Sequence, residues 1–238
     1  MTDQEKNTLV EHLEELRGVL IRCLIALAIG FVPMFFCAPS VLDVLIKIVL
    51  QKCPVTLNFF SPMELFVLQM KMAMMLDILI CFPFMIWQIW HFILPALYEH
   101  ERRFIKSLVG LSSLLFIVGS LFCLFFILPS VMHFGLSFMT DGIQPVLGIG
   151  AVISLVLRLT IIFGVMFQFP LVTYSLIQAG IIEYHTVKNK RAVVFVGILI
   201  LSGLLTPPDI ISQIMLTIPT YSLFEIGLFL ARKHSSGG

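Results

Sequence analysis

Six long apolar stretches follow one another along this chain of 238 residues, and polar or proline-containing segments separate them. A helix of about 20 apolar residues is long enough to cross the hydrocarbon core of a bilayer. The stretches comprise residues 18–38, 72–94, 108–128, 151–177, 192–205 and 210–231. The sequence therefore predicts an all-α, polytopic membrane protein, whose single membrane domain covers residues 1–238 and contains six transmembrane helices.

The composition excludes other classes of protein. Hydrophobic residues make up 59% of the chain and charged residues only 12%, whereas a soluble domain carries about 25% charged residues. Lys and Arg number 15 against 14 Asp and Glu, so no basic excess favours a nucleic-acid partner. The five cysteines form no C-x-x-C pair, which favours small apolar residues over a disulfide framework or a metal site. The polar, acidic start of the chain is unlike a cleavable signal peptide.

The distribution of positive charge predicts the orientation in the membrane. Eleven of the 15 Lys and Arg residues lie in the N-terminal segment, in the loops after the second and fourth stretches, and at the C-terminal end. Positively charged loops are retained on the cytoplasmic side. Both termini are therefore predicted to be cytoplasmic.

The connecting segments differ in kind. Residues 39–71 form a long loop with Pro54 and Pro62, for which we expect an outer cap that contains short helices. Residues 129–150 are apolar and carry no Lys or Arg, so we expect them in the membrane interface. The fifth stretch has only 14 residues, and a Thr-Pro-Pro-Asp turn joins it to the sixth. These two stretches are predicted to form a tight helical hairpin in a thinned part of the bilayer.

Polar side chains inside the predicted spans are costly and often functional, and four of them carry an expectation here. Asp77 is expected to pair with Lys71 or Arg158 rather than to act in transport. Arg158 is expected to reach the outer surface along its aliphatic stem. Glu225, seven residues before Arg232, is expected to form a structural ion pair. Gln168 is compatible with two roles, a hydrogen bond between helices of this chain and contact with a partner helix.

Carboxylates also gather at the predicted cytoplasmic surface. Leucines spaced by four, three and four residues between Leu9 and Leu20 predict a helix that leads into the first span. Glu15 lies on another face of this helix, and Glu101 lies in the cytoplasmic loop after Pro95. Because the membrane surface favours cations here, these carboxylates indicate a ligand with positive charge, although a solvated helix face has the same pattern. Two separated carboxylates could each hold one guanidinium group.

Motifs of catalysis are absent from the sequence. Neither G-x-S-x-G nor H-E-x-x-H occurs, and no two of the six histidines share a helix face within a span. These motifs place a nucleophile or two metal ligands together. The sequence therefore predicts a protein that is not an enzyme and holds no metal or cofactor.

Five segments in order along the chain carry a resemblance to a known family. They are His12–Arg17 (HLEELR), Pro95–Arg103 (PALYEHERR), Phe163–Pro170 (FGVMFQFP), Leu205–Asp209 with Ser212–Gln213, and Ile218–Pro219 with Leu223–Gly227. In this order, and on six predicted spans, they resemble the TatC family. TatC is the polytopic receptor subunit of the twin-arginine, or Sec-independent, protein translocase.

The resemblance implies a function and a shape. A TatC protein binds the twin-arginine signal peptides of folded cargo at the cytoplasmic face of a bacterial-type inner membrane. Its partners are single-span TatA- and TatB-type proteins and other TatC copies, besides the lipid bilayer. The proton-motive force drives transport, and no cofactor takes part. The fold is a curved, glove-like bundle with a concave face.

The resemblance also implies roles for individual residues. The glutamates that bind the signal peptide correspond to Glu15 and Glu101. The other positions of this surface are His12, Arg17, Pro95 and Arg103. Contact with partner helices is implied for Gln168, Thr206 and Gln213. Further polar positions in or beside the membrane, to which we assign a structural or functional role, are Asp77, Arg158, Asp209 and Glu225.

The sequence departs from the family pattern at one position, and two other functions are alternatives to the translocase. The fourth-span position that usually carries Glu in the family is Gln168 here, and an amide can form hydrogen bonds but cannot exchange a proton. A secondary transporter for small solutes would use Asp77, Arg158 and Glu225 instead. The sequence has no internal repeat, which disfavours such a transporter. A purely structural membrane scaffold would not require the two cytoplasmic carboxylates.

Overall fold

The computed structural model describes residues 3–52, 56–58, 60–93, 102–137, 146–178, 180, 182–205 and 210–235. Helices make up nearly all of this part of the chain, which confirms the predicted all-α class. They are α1 (Asp3–Lys52), α2 (Pro62–Ile93), α3 (Arg102–Phe122), α4 (Leu128–Ser137), α5 (Ile149–Met166), α6 (Phe169–Gln178), α7 (Tyr184–Asn189), α8 (Arg191–Leu205) and α9 (Ile210–Ser235). A π-helical turn, Cys123–Ile127, joins α3 to α4.

Within the described part of the chain, five segments are long and apolar enough to cross a membrane. They are Leu13–Ile48, Pro62–Phe92, Ser107–Ser137, Ile149–Gln178 and Ser212–Arg232. Helix α8 is also apolar but has only 15 residues, which rise about 22 Å, less than the ~30 Å hydrocarbon core of a typical bilayer. The polytopic class is therefore confirmed, whereas six membrane crossings and the orientation of the termini stay predictions.

Most of the described residues between 39 and 71 belong to two long helices rather than to short helices in a loop. Helix α1 continues to Lys52, and α2 begins at Pro62. The first predicted span ended at Ala38, just before Pro39. Helix α1 nevertheless continues through this proline, whose missing N–H removes one backbone hydrogen bond. Leu42 and Leu45 follow this proline and are both buried. Their spacing of three residues places them on one helix face, so the apolar face of α1 continues past the proline.

The third helical segment also continues past a proline. The backbone N–H of Leu128 donates to the carbonyl of Cys123, five residues earlier. This π-type bond shifts the hydrogen-bond register before Pro129. The missing N–H of Pro129 then falls in the first turn of α4, where it is tolerated. Residues 129–137 are therefore helical rather than a loop, and their position in the membrane interface stays a prediction. Residues 138–145 lie outside the described part.

A pair of short strands, absent from the sequence prediction, lies beside the first turns of α2 and α5. Strands β1 (Thr56–Asn58) and β2 (Val146–Gly148) pair in parallel. The Glu64 carboxylate accepts a hydrogen bond from the Phe60 N–H at 2.8 Å and another from the Gly150 N–H at 2.9 Å. One carboxylate thus lies at the N-terminal ends of both α2 and α5, where negative charge is favourable.

The chain divides into two compact units, one of residues 1–42 and 69–113 and the other of residues 43–68 and 114–238. In the first unit, Gln69 Nε2 donates to the carbonyl of Phe35 at 3.3 Å, and Trp90 Nε1 donates to Ser112 Oγ at 3.2 Å. The second unit contains a buried apolar cluster of Cys123, Ile127, Leu159, Phe163, Met166, Phe167 and Leu216. A smaller cluster in the same unit comprises Ile198, Phe224 and Leu228.

Candidate functional site

The N-terminal half of α1 presents charged side chains to the surroundings. Glu14, Glu15 and Arg17 are all exposed, while Val19 and Cys23 are buried four residues apart on the packed face. The helix predicted here from the leucine pattern is present. Successive residues of a helix point about 100° apart, so Glu14 and Glu15 offer two carboxylates with different directions.

Several predicted site residues fall outside the described part of the chain. Pro95 and Glu101 precede α3, and Thr206 and Asp209 lie between α8 and α9. The side chains of His12 and Arg103 are also outside it, although their backbones belong to α1 and α3. Among the predicted signal-peptide positions, the described side chains are therefore those of Glu15 and Arg17.

Gln168 lies at the break between α5 and α6. Its backbone N–H donates to Val165 O at 3.0 Å, in a tighter turn than an α-helix makes. Its side-chain Nε2 donates at 3.5 Å to the carbonyl of Gly164, a long hydrogen bond. Pro170 lacks an N–H and cannot continue the α5 hydrogen-bond pattern. The amide, only 8% exposed, is thus used inside the chain at a helix break.

Two glycines allow the helices around this break to approach closely. A Cβ at Gly164 would lie 2.6 Å from a ring carbon of Phe116. A Cβ at Gly227 in α9 would lie 2.5 Å from the carbonyl oxygen of Pro170 in α6. Both distances are shorter than ordinary carbon contacts. The break is therefore enclosed by α3 and α9 at points where only glycine fits.

Helices α8 and α9 pack directly against each other. Gln213 Nε2 donates to the carbonyl of Leu199 at 3.0 Å. A Cβ at Gly203 would lie only 2.9 Å from the same Gln213 Nε2 atom. Phe195 and Tyr221 form an edge-to-face ring pair with centroids 5.2 Å apart. The pairing between the two helices confirms the predicted hairpin, and Gln213 joins the two helices.

Glu225 forms the ion pair that the sequence predicted, and its described partner is Arg191 of α8. Arg191 Nη2 lies 3.0 Å from Glu225 Oε2, and the Tyr221 hydroxyl donates to Glu225 Oε1 at 2.8 Å. The signal for this partner was present in the sequence. Arg191 precedes Pro207 by 16 residues and Glu225 follows Pro208 by 17. Positions at nearly equal distances from the turn lie opposite each other in a helical hairpin.

Asp77 is buried at 2% exposure, inside the first compact unit. Its Oδ1 accepts a hydrogen bond from the Cys81 thiol at 3.3 Å, and the same thiol lies 3.8 Å from the carbonyl of Ala26 in α1. Its Oδ1 also occupies the place of a Cβ at Gly30. Asp77 thus packs against Gly30 of α1. The sequence analysis, which expected a pairing with Lys71 or Arg158, did not predict this contact.

Arg158 is exposed near the middle of α5. The described residues contain no group of three or more His, Cys, Asp or Glu side chains that could hold a metal ion. Polar side chains are instead scattered singly over the two units. Several of the described ones form hydrogen bonds within the chain, as Asp77, Gln213 and Glu225 do. This arrangement defines the chain as a multi-pass helical membrane protein with polar anchors between its helices.

Comparison with known proteins identifies the family. The family model described as Sec-independent protein translocase protein (TatC) matches residues 11–219. The TatC protein of Escherichia coli K12 is 34% identical over 247 residues, which cover 100% of this chain and 93% of the relative. That of Aquifex aeolicus is 38% identical over 228 residues and covers 94% of each chain. The chain belongs to the TatC family.

Solved structures agree with this assignment. A crystal structure described as the twin arginine translocase receptor TatC in DDM is similar with a TM-score of 0.84 and 35% identity. The match covers 92% of this chain and 99% of that one. A second TatC crystal structure has the same TM-score and covers 94% of this chain. The chain is therefore a subunit of a Sec-independent protein translocase, and its membrane fold is that of the family.

Proposed function

We propose that this chain is the receptor subunit that binds twin-arginine signal peptides at the cytoplasmic face of a bacterial-type inner membrane. The observation that carries the proposal is the exposed Glu15 carboxylate on α1, in a chain that belongs to the TatC family. A guanidinium group binds a carboxylate through two parallel hydrogen bonds. Glu15 would hold one arginine of the signal and Glu101 the other. His12, Arg17, Pro95 and Arg103 would complete the surface.

The apolar part of a signal peptide also needs a surface in this proposal. Leu13, Leu16 and Leu20 are 62%, 37% and 55% exposed along α1. Residues three and four apart lie on the same helix face, so these leucines form one apolar stripe of α1 on another face than Glu15. A peptide with one arginine at Glu15 would lay its apolar side chains along this stripe.

The proposal extends to partner proteins. TatA- and TatB-type single-span helices and further TatC copies would assemble with the chain, and the proton-motive force would drive export of folded cargo. The α5–α6 break and the α8–α9 hairpin are the proposed docking region, with Gln168, Thr206 and Gln213. Because the Gln168 and Gln213 amides bond to backbone carbonyls of this chain, their proposed contribution is to shape the docking surface.

The rival transporter function lacks a supporting observation. It requires Asp77, Arg158 and Glu225 to act on a solute at the membrane midplane. Glu225 pairs with Arg191, and Asp77 packs against Gly30 in the other compact unit. The described contacts of both carboxylates are made within the protein, which supports structural roles for them.

Two neighbouring carboxylates provide a matched test of the proposal. We expect Glu15→Gln to weaken binding of a synthetic twin-arginine peptide by about 10- to 100-fold, since a charge-assisted hydrogen bond contributes roughly 1.5–3 kcal/mol. Glu14→Gln removes the same charge one position away and is expected to change the dissociation constant less than about twofold. Fluorescence anisotropy of a labelled peptide, with the protein in detergent, measures both. Equal effects of the two variants would contradict a role for Glu15.

A further inference from the structure

The corner between α7 and α8 concentrates positive charge where the chain enters α8, an apolar helix of 15 residues. Lys188 lies in the last turn of α7, Lys190 forms the corner, and Arg191 is the first residue of α8. All three side chains are exposed. The acidic residue of this segment, Glu183, lies at the other end of α7, five residues before Lys188. Lys188, Lys190 and Arg191 therefore form a cationic corner from which Glu183 is separated by the length of α7.

The apolar side of α7 holds this corner against the membrane helices. Tyr184 and Val187 are partly buried and pack on the cluster of Ile198, Phe224 and Leu228. The N–H of Lys190 donates to the carbonyls of both Thr186 and Val187 at 3.2 Å, which closes α7. The hydrogen bond from Val194 N to Lys190 O at 3.1 Å begins the next helix. The position of the corner is thus set by the packed core beneath it.

The Arg191 guanidinium is held in place by an ion pair and still has exposed N–H groups that can bind an anion. Its Nη2 is bound to Glu225, yet 44% of its side chain stays exposed. A guanidinium group has five N–H donors in a fixed plane, so a pair with one carboxylate leaves donors for a second acceptor. The two lysines beside it supply charge without geometric demands.

The length of α8 favours a lipid as the source of that anion. Its 15 residues rise about 22 Å, several ångströms less than the hydrocarbon core. A bilayer becomes thinner around a helix this short, so that its interfacial regions reach both helix ends. Lys and Arg at such an end lie at the depth of the phosphate groups. A soluble anion would have no reason to prefer this depth.

We propose that Lys188, Lys190 and Arg191 form a binding site for the headgroup of an anionic phospholipid. The phosphate lies against the Arg191 guanidinium, and the two lysines interact with the remaining negative charge. Acyl chains then run along the apolar surface of α8, where Val193 and Val196 are 67% and 50% exposed. This site is separate from the proposed signal-peptide surface on α1.

Native mass spectrometry of the full chain, with phosphatidylglycerol and phosphatidylcholine titrated into detergent, tests this site. We expect tighter binding of phosphatidylglycerol, and about 30-fold weaker binding of it to Lys188→Gln/Lys190→Gln. That loss corresponds to ~2 kcal/mol for two lysines at an anionic surface. Arg191 stays in place so that its pair with Glu225 is kept.

A matched variant and a competitor make the result decisive. Lys47→Gln/Arg158→Gln removes two exposed cations elsewhere in the same compact unit and is expected to bind phosphatidylglycerol as the unmodified protein does. An equal loss in both variants, or in neither, would overturn the proposal. Displacement of the lipid by millimolar inorganic phosphate would also overturn it, since the site would then recognise a free anion.

Discussion

Gly227→Ala is expected to lower the free energy of unfolding by about 3 kcal/mol, which corresponds to a fall in Tm of about 10 °C. A Cβ at this position would lie 2.5 Å from the carbonyl oxygen of Pro170 and 2.6 Å from its Cα. Both atoms belong to the backbone of α6, so a rotamer change cannot remove the clash. Helix α6 would have to move away from α9, and the Phe224 and Leu228 cluster would loosen.

Gly197→Ala is the control for this variant. It lies inside α8, and no heavy atom stands within 4 Å of its would-be Cβ. Alanine is favoured over glycine in a helix by up to about 1 kcal/mol, so Tm should stay constant or rise. Circular dichroism at 222 nm during heating in detergent measures both variants. Equal Tm values for Gly227→Ala and Gly197→Ala would show that α6 and α9 are not in close contact.

Gly30→Ala is expected to destabilise the protein by about 2 kcal/mol, and Asp77→Ala should relieve most of this loss. The new methyl group would overlap Asp77 Oδ1 and lie 3.1 Å from Cys81 Sγ. The carboxylate is 2% exposed, so it has little room to move aside. The clash disappears once residue 77 has no carboxylate.

A double-mutant cycle measures this relationship. The free energy of unfolding is compared for the unmodified protein, Gly30→Ala, Asp77→Ala and the double variant. We expect a coupling energy of about 1.5 kcal/mol, because residues in direct contact do not contribute independently. Additive effects would contradict the contact between Gly30 and Asp77. Gly110→Ala is a suitable control, since its would-be Cβ meets nothing within 4 Å.

The sequence predicted the helices well because its strongest signal was the length of apolar runs. Its errors fell at Pro39 and Pro129, which were interpreted as helix ends. The π turn of Cys123–Ile127 shifts the hydrogen-bond register so that the missing N–H of Pro129 is tolerated. The length of an apolar run does not reveal such a turn. At Pro39 the buried Leu42 and Leu45 continue the packed face of α1. Packing therefore extended helices that local backbone preferences would have ended.

The polar contacts were predictable in part. The Thr-Pro-Pro-Asp turn predicted a hairpin, and a hairpin brings Arg191 opposite Glu225. The contact of Asp77 with Gly30 had no comparable signal, because no turn relates α1 to α2 so closely. The Gly227 contact with Pro170 likewise depends on which helices become neighbours in three dimensions. The Glu15 position was predicted from its motif, and its exposure on α1 agrees with an interaction surface.

The central claim is that separated carboxylates of this chain bind the paired arginines of a signal peptide. The most direct test compares a twin-arginine peptide with a twin-lysine peptide of otherwise identical sequence, using isothermal titration of the purified protein in detergent. Glu15→Gln/Glu101→Gln serves as the site variant. Arginine forms bidentate pairs with carboxylates and lysine does not, so we expect the twin-lysine peptide to bind at least about tenfold more weakly. The double variant should lose this preference, whereas equal binding of both peptides to the unmodified protein would contradict the receptor function.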